Sequence, residues 1–142
     1  TMPKYDPDAR GVFYGLTMEH GREHMARAIL ESVAAMLRAT LDYLDVRCDE
    51  IRTMGGGALS PLWCGIKADM CGRRLVTLKN TDTACLGAAI LGGVGVGLFP
   101  SVEEACDRIV ATDREYIPAL SEASEAAYRA YTVADDRIYP QA

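Results

Sequence analysis

The chain has 142 residues, of which 49% are hydrophobic and 25% are charged, as in an ordinary globular domain. Its formal net charge is −5 and it has no basic run, so a general nucleic-acid-binding role is not expected. The five cysteines, at positions 48, 64, 71, 85 and 106, form no CxxC pair, which excludes zinc-ribbon and disulfide-framework folds and favours reduced thiols in a cytoplasmic protein.

The first half of the chain is predicted to alternate between strands and helices. In order, the pattern predicts a turn at residues 5–10, a strand at 11–16, a helix from 17 to about 45, a strand at 48–54 and a helix at 61–71. The long helix rests on apolar side chains that recur at helical spacing, among them Met25, Ile29 and Val33. Gly72 stands where a helix commonly ends on glycine.

The second half is predicted to be mostly helical. The elements are a strand at 75–78, a helix from residue 82 or 83 to 94, a helix after Pro100 that Ser101 and Glu104 cap, and a last helix at about 121–133. The order indicates a helix-rich α/β protein with a small sheet, in a single domain over residues 1–142. Three short strands are few for such a sheet, so part of it is expected to lie outside this chain.

An apolar run at residues 84–99 could be mistaken for a membrane span. It has 16 residues, where roughly 20 are needed, and five of them are glycine. A buried helix rich in small residues is therefore expected, and no membrane partner.

The glycines at positions 55–57 are the strongest functional signal. They leave a predicted strand and lead into a helix in which Ser60 suits the N-cap and Pro61 the first helical position. Backbone N–H groups of a glycine-rich turn at a helix N-terminus can bind phosphate, and glycine allows close approach. An empty structural turn is an equally good interpretation of these residues alone.

Three segments resemble the FGGY family of carbohydrate kinases. Residues 55–72, GGGALSPLWCGIKADMCG, resemble the family's second signature: a Gly-Gly pair, Ser60, Trp63, Ala68-Asp69 and a closing Gly. Cys85-Leu86-Gly87-Ala88-Ala89 resembles the family's Ala-Leu-Gly-Ala-Ala, and residues 6–11 resemble the segment before the family's long helix. The resemblance covers roughly residues 3–110, and xylulokinase-like members are the most similar.

The resemblance implies a fold and an activity. The chain would be part of a ribonuclease-H-like lobe of the actin and sugar-kinase type, namely the C-terminal part of the second, nucleotide-binding lobe. The full-length enzyme would use ATP and Mg²⁺ to phosphorylate a sugar hydroxyl, with a pentulose, xylulose, as the expected substrate. The family's catalytic Asp and most of its sugar site lie earlier, so no catalytic residue is expected in this chain and the fragment alone should be inactive.

The family's site residues carry over onto the glycine segment. The resemblance implies that Gly56 and Gly57 face the nucleotide phosphates through their N–H groups, that Gly55 shapes the turn, and that Ser60 lies near the ribose or adenine. A purely capping Ser60 is an equal alternative. Cys64 and Gly65 depart from the family pattern, which commonly has a basic residue and a Gln there. These departures put the packing of the helix and the nucleotide affinity in doubt.

Several other patterns are expected to be structural. Trp63 is expected to pack on the helix, and Asp69 to anchor the helix end or a neighbouring loop. Residues 20–24 (HGREH) fit a zinc-peptidase pattern but lack a third ligand, so no metal site is expected.

Two other function classes remain open: another actin-like ATPase segment, and a non-enzymatic helical interaction module. The spacing of Trp63 and Ala68-Asp69 favours the sugar kinases over the first of these. Calorimetry of the full-length protein with ATP and Mg²⁺ would separate them from the second. The expected partner is a small-molecule sugar, and a homodimer stays open because a partial lobe exposes apolar surface.

Overall fold

The computed structural model of the protein describes residues 10–139. In chain order the elements are α1 (Arg22–Tyr43), β1 (Glu50–Thr53), a 3₁₀ turn (Gly56–Ala58), α2 (Pro61–Cys71), β2 (Arg74–Leu78), α3 (Thr83–Gly95), α4 (Val102–Ile109), β3 (Thr112–Tyr116) and α5 (Glu122–Ile138). This arrangement confirms the predicted helix-rich α/β class with a small sheet. None of these helices combines the length and the apolarity that crossing a bilayer requires.

The sheet has the strand order β1-β2-β3. β1 and β2 are parallel, with Ile51 opposite Leu75, and α2 makes the crossover that parallel neighbours need. β3 runs antiparallel to β2, with Tyr116 opposite Leu75. Leu75, Val76 and Thr77 are buried in the central strand. The segment after β1 therefore leaves one end of the sheet and returns along α2.

β3 was not predicted. Its sequence, Thr-Asp-Arg-Glu-Tyr, shows no apolar alternation, and four of its five residues are exposed. It is an edge strand, where polar side chains are normal and backbone pairing supplies the stability. An ion pair of 3.0 Å between Arg74 Nη1 and Glu115 Oε1 joins it to β2.

The strand predicted at residues 11–16 is wrong. Among residues 10–139 the sheet contains only β1, β2 and β3, so these residues have no neighbouring strand to bond with. Val12, Phe13 and Tyr14 are exposed, and Gly15 leaves the extended conformation with φ +79°. The turn predicted at residues 5–10 lies, apart from Arg10, outside the described residues.

The long helix begins at Arg22 and not at the predicted Thr17, because two histidines shape a turn before it. The Thr17 N–H donates to His20 Nδ1 at 2.9 Å, and the Gly21 N–H donates to His24 Nδ1 at 3.1 Å. Both imidazoles of the zinc-like pattern thus accept local backbone hydrogen bonds. The part of the chain that the structure describes contains no group of three side chains able to bind a metal.

The core lies on two faces of α2. Ile66 and Met70 pack against Ala34 and Ala35 of α1, and Leu30, Tyr128 and Tyr131 flank this cluster. On the other face, Cys64 and Ala68 pack against Leu75 of β2. Helix α2 is therefore held from both sides, and its N-terminus carries the glycine segment.

Helix α5 is fixed to this core by a charged pair. Arg38 of α1 donates from Nη1 to Glu125 Oε1 at 2.6 Å and from Nη2 to Glu125 Oε2 at 3.3 Å. The same Nη1 lies 3.1 Å from the Met70 carbonyl, so one guanidinium ties α1, α2 and α5 together.

Candidate functional site

The glycine segment forms a tight turn between β1 and α2. Gly55 has φ +70° and ψ −165°, a backbone conformation that is essentially restricted to glycine. The Ala58 N–H then donates to the Gly55 carbonyl at 3.0 Å, and the Leu59 N–H donates to the Gly56 carbonyl at 3.2 Å. These two bonds close the turn, and its first residue has a conformation that requires glycine.

The turn leaves two N–H groups free. Its hydrogen bonds use the N–H groups of Ala58 and Leu59, and among residues 10–139 the amides of Gly56 and Gly57 have no acceptor. Two neighbouring free amides in front of a helix are a suitable arrangement for an anion. An amide of this kind is satisfied by water or by a ligand.

Ser60 begins α2 as predicted. Its Oγ accepts a hydrogen bond from the Trp63 N–H at 3.3 Å, and Pro61 occupies the first helical position. Gly72 ends the helix in the left-handed conformation, with φ +61°. The capping role of Ser60 is thus confirmed, and its contact with a nucleotide stays a prediction.

The three glycines differ in the space around them. A Cβ at Gly55 or Gly56 would meet nothing within 4 Å. A Cβ at Gly57 would lie 3.1 Å from Lys67 Nζ and 3.2 Å from Trp63 Cζ3. The turn is therefore open at Gly56, while Gly57 rests against the side chains of α2.

The side chains of Trp63 and Lys67 pack against the turn at Gly57. Trp63 Nε1 donates to the Leu30 carbonyl of α1 at 3.2 Å, so the ring of this α2 residue packs against α1. Lys67 Nζ lies 4.2 Å from the centroid of the Trp63 ring, within the range of a cation–π contact. No motif in the sequence identifies Lys67. Its spacing of four from Trp63 on one helix is the signal that places both side chains on the same face.

Cys64 fastens the carbonyl side of the turn. Its Sγ lies 3.6 Å from both the Gly57 and the Ala58 carbonyl oxygens. Burial raises the pKa of the Cys64 thiol, which keeps it protonated and able to donate. The departure from the family pattern at this position thus supplies a contact to the turn and not a charge.

The remaining singled-out residues have structural roles. Asp69 Oδ1 accepts from the Ala119 N–H at 2.7 Å, so it anchors the loop before α5 as expected. The expected buried helix in the apolar run is wrong, because only Ile90 and Gly93 of α3 are buried. Gly93 lies against Phe99, whose ring a Cβ would approach to 2.9 Å. All five cysteines are free.

Comparison with known proteins settles the family. The model of the FGGY family of carbohydrate kinases, C-terminal domain, matches residues 1–96. The chain belongs to this family. FGGY kinases have the actin and sugar-kinase fold, so the predicted lobe type is confirmed.

Relatives of known sequence or structure agree with this assignment. A glycerol kinase of Saccharolobus islandicus is 36% identical over 124 residues, which cover 84% of this chain and 25% of that protein. The chain thus spans about a quarter of the length of the curated relatives it matches. A xylulose kinase of Lactobacillus acidophilus has the same fold, with a TM-score of 0.88 at 24% identity over 99% of this chain and 29% of its own. A xylulose kinase of Rhodospirillum rubrum gives a TM-score of 0.77 at 30% identity, over 95% of this chain and 28% of its own.

Proposed function

We propose that this FGGY chain is the C-terminal part of the second lobe of an ATP-dependent kinase, over residues 1–142, and that it binds the phosphates of ATP. The observation that carries the proposal is the pair of free amides at Gly56 and Gly57, in the turn that leads into α2. The positive end of the helix dipole adds to these donors. Gly55 would hold the turn and Ser60 would lie beside the nucleoside.

The residues of the turn fit a phosphate group. Free N–H donors, the lack of a side chain at Gly56 and the nearby Lys67 charge all suit an anion, and none of them suits a cation. Mg²⁺ would accompany the ATP phosphates, and we assign it no ligand in this chain. ATP supplies the phosphoryl group, and the chain's share is to hold and orient the donor and to exclude water around it.

The acceptor would bind elsewhere in the full-length protein. A hydroxyl nucleophile needs a general base, and we place the catalytic carboxylate outside these 142 residues. The isolated chain is therefore expected to show no kinase activity. Phosphorylation of any sugar by the purified chain would contradict this division of labour.

Xylulose is the acceptor we propose, on the resemblance of the signature segments to xylulokinase-like members. Glycerol is the second candidate, since relatives named glycerol kinase share 36% identity with the chain. Steady-state kinetics of the full-length protein with xylulose, glycerol and gluconate would separate the two. A kcat/KM for glycerol above that for xylulose would overturn the first choice.

The test of the phosphate site is a valine at position 56. Gly56→Val adds a branched side chain beside the free amides, where glycine leaves open space for a ligand to approach, so we expect the Kd for ATP to rise at least tenfold in calorimetry of the full-length protein. Gly95→Val is a matched control, because it adds the same side chain where nothing lies within 4 Å, at the end of α3. Equal ATP affinity in wild type and Gly56→Val would refute the site.

We also propose a cytoplasmic location, with no nucleic-acid or membrane partner. The free cysteines and the net charge of −5 support this. Apolar side chains at Leu91, Val96 and Leu98 are largely exposed, which supports further contacts with the rest of the lobe or with a second copy in a homodimer. Sedimentation of the full-length protein would distinguish these two uses of the surface.

A further inference from the structure

Lys67 is the one charged side chain that is buried among residues 10–139, with 8% of its surface exposed. It lies on α2, one turn after Trp63, and its ammonium group stands over the indole ring. A Cβ at Gly57 would approach its Nζ to 3.1 Å, so the ammonium rests against the backbone of the turn. Most of its stem is covered, which makes its position well defined.

Among residues 10–139 the charge of Lys67 has no counter-charge. Within the described part of the chain its Nζ makes no ion pair and no hydrogen bond, and its one polar contact is the face of Trp63. On the side of α1 it borders a cavity of about 330 Å³, which brings no carboxylate near it. That cavity is lined by Val33, Met36, Leu37, Thr40 and Lys67 itself. Burying a charge is costly unless an opposite charge or hydrogen bonds compensate it.

Nearby groups do not neutralise it either. Cys64, three residues earlier on the same helix, is kept as a neutral thiol because burial raises its pKa. Every fully enclosed side-chain nitrogen or oxygen in the described part of the chain has a hydrogen-bond partner. Because Lys67 Nζ has none, the ammonium group is not fully enclosed and retains some exposure to solvent.

We propose that Lys67 is a further phosphate-binding residue of this site, and that its ammonium group pairs with a phosphate oxygen of the nucleotide held at the Gly56 and Gly57 amides. This inference rests on the proposed function. By covalent geometry the ammonium lies within about 6 Å of the Gly57 nitrogen. A flexible lysine stem can cover that distance, and the incoming anion supplies the missing counter-charge. Glycine at position 57 leaves the room that the ammonium occupies.

The test compares nucleotides that differ in phosphate content. Lys67→Met removes the charge and keeps a stem that can pack on Trp63. In calorimetry of the full-length protein we expect its Kd for ATP and for ADP to rise about tenfold or more, the usual loss for a charge-assisted contact, with the Kd for adenosine unchanged. Added salt should weaken wild-type binding more than binding by the variant, since one ion pair is gone. Lys67→Gln serves as a second variant that keeps a polar end.

Arg47→Met is the matched control. It also removes one positive charge, but Arg47 precedes β1, at the end of the strand opposite the turn, and its side chain is 89% exposed. Its nucleotide affinities should equal those of wild type. Equal losses for adenosine and ATP in both Lys67 variants would indicate a purely structural role and overturn the inference. So would ATP binding that is unchanged in both.

The outcomes separate the two proposals. If wild type binds ATP and Gly56→Val weakens binding while the Lys67 variants do not, only the role of Lys67 fails. If wild type binds no ATP, the proposed function fails and the inference fails with it. Loss of ATP and ADP affinity with adenosine binding retained supports both.

Discussion

Alanine at each glycine of the turn should have a different effect on stability, and Gly55→Ala should be the most harmful. At φ +70° and ψ −165° a Cβ is strained whatever the space around it, at a cost of about 1–3 kcal/mol. Gly56→Ala is the control, because its φ is not positive and a Cβ there meets nothing within 4 Å. It should be neutral or stabilising by about 0.4–1 kcal/mol, through the unfolded chain.

Gly57→Ala should fall between these two. Its Cβ would lie 3.1 Å from Lys67 Nζ, which can move, and 3.2 Å from Trp63 Cζ3, whose ring is held by the bond to Leu30. A cost of about 1 kcal/mol is expected, at the low end for overpacking. Scanning calorimetry of the full-length protein measures the Tm of all three variants. A Tm for Gly55→Ala equal to that of Gly56→Ala would refute the backbone assignment of the turn.

Three further predictions concern the elements that hold the turn in place. The hydrogen bond from Arg38 lowers the pKa of Glu125, so the stabilisation that this bond supplies is present above the ordinary carboxyl pKa and is lost as pH falls through the lowered value. Glu125→Gln should therefore reduce the urea midpoint at pH 7, and the difference from wild type should shrink below about pH 4.5. A constant difference at all pH values would contradict this. Burial raises the pKa of the Cys64 thiol, and it raises that of Cys71 to about 11. Iodoacetamide at neutral pH should therefore modify exposed Cys85 first, as measured by peptide mass spectrometry. Early labelling of Cys64 would be inconsistent with its burial. Asp69→Ala removes the acceptor that lies 2.7 Å from the Ala119 N–H and should lower the free energy of unfolding by about 1.5–3 kcal/mol. Asp69→Asn keeps an acceptor oxygen and should lower it less. Equal decreases in the two variants would show that this hydrogen bond does not carry the effect.

The fold was predictable where local chemistry specifies it. Helix α2 begins and ends at the predicted residues because Ser60, Pro61 and Gly72 each have a conformational reason to stand at a helix end. β3 could not be predicted, since its polar sequence has no pattern of its own and takes its conformation from pairing with β2. The strand predicted at residues 11–16 failed for the converse reason: it has the composition of a strand without a partner among the described residues.

In the candidate site, too, some features follow from the local sequence and others depend on tertiary packing. The free amides at Gly56 and Gly57 follow from a glycine turn that leads into a capped helix, which the sequence already indicates. The position of Lys67 does not follow from any motif, because it depends on the packing of α2 against α1. That packing places the Trp63 ring and the Lys67 ammonium group next to Gly57. A charge that is defined by tertiary packing has no local signature in the chain.

The position of α2 also limits how the turn can move. One face of this helix shares a core with α1 through Ile66 and Met70, and the other shares a core with β2 through Cys64 and Ala68. Cys64 additionally contacts the carbonyl side of the turn. A shift of α2 relative to α1 or to the sheet would open one of these clusters, and close-packed interiors resist such gaps. We therefore expect any closure around ATP to carry the turn, α2 and the sheet together as one rigid unit, with the displacement taken up outside α1 and β2.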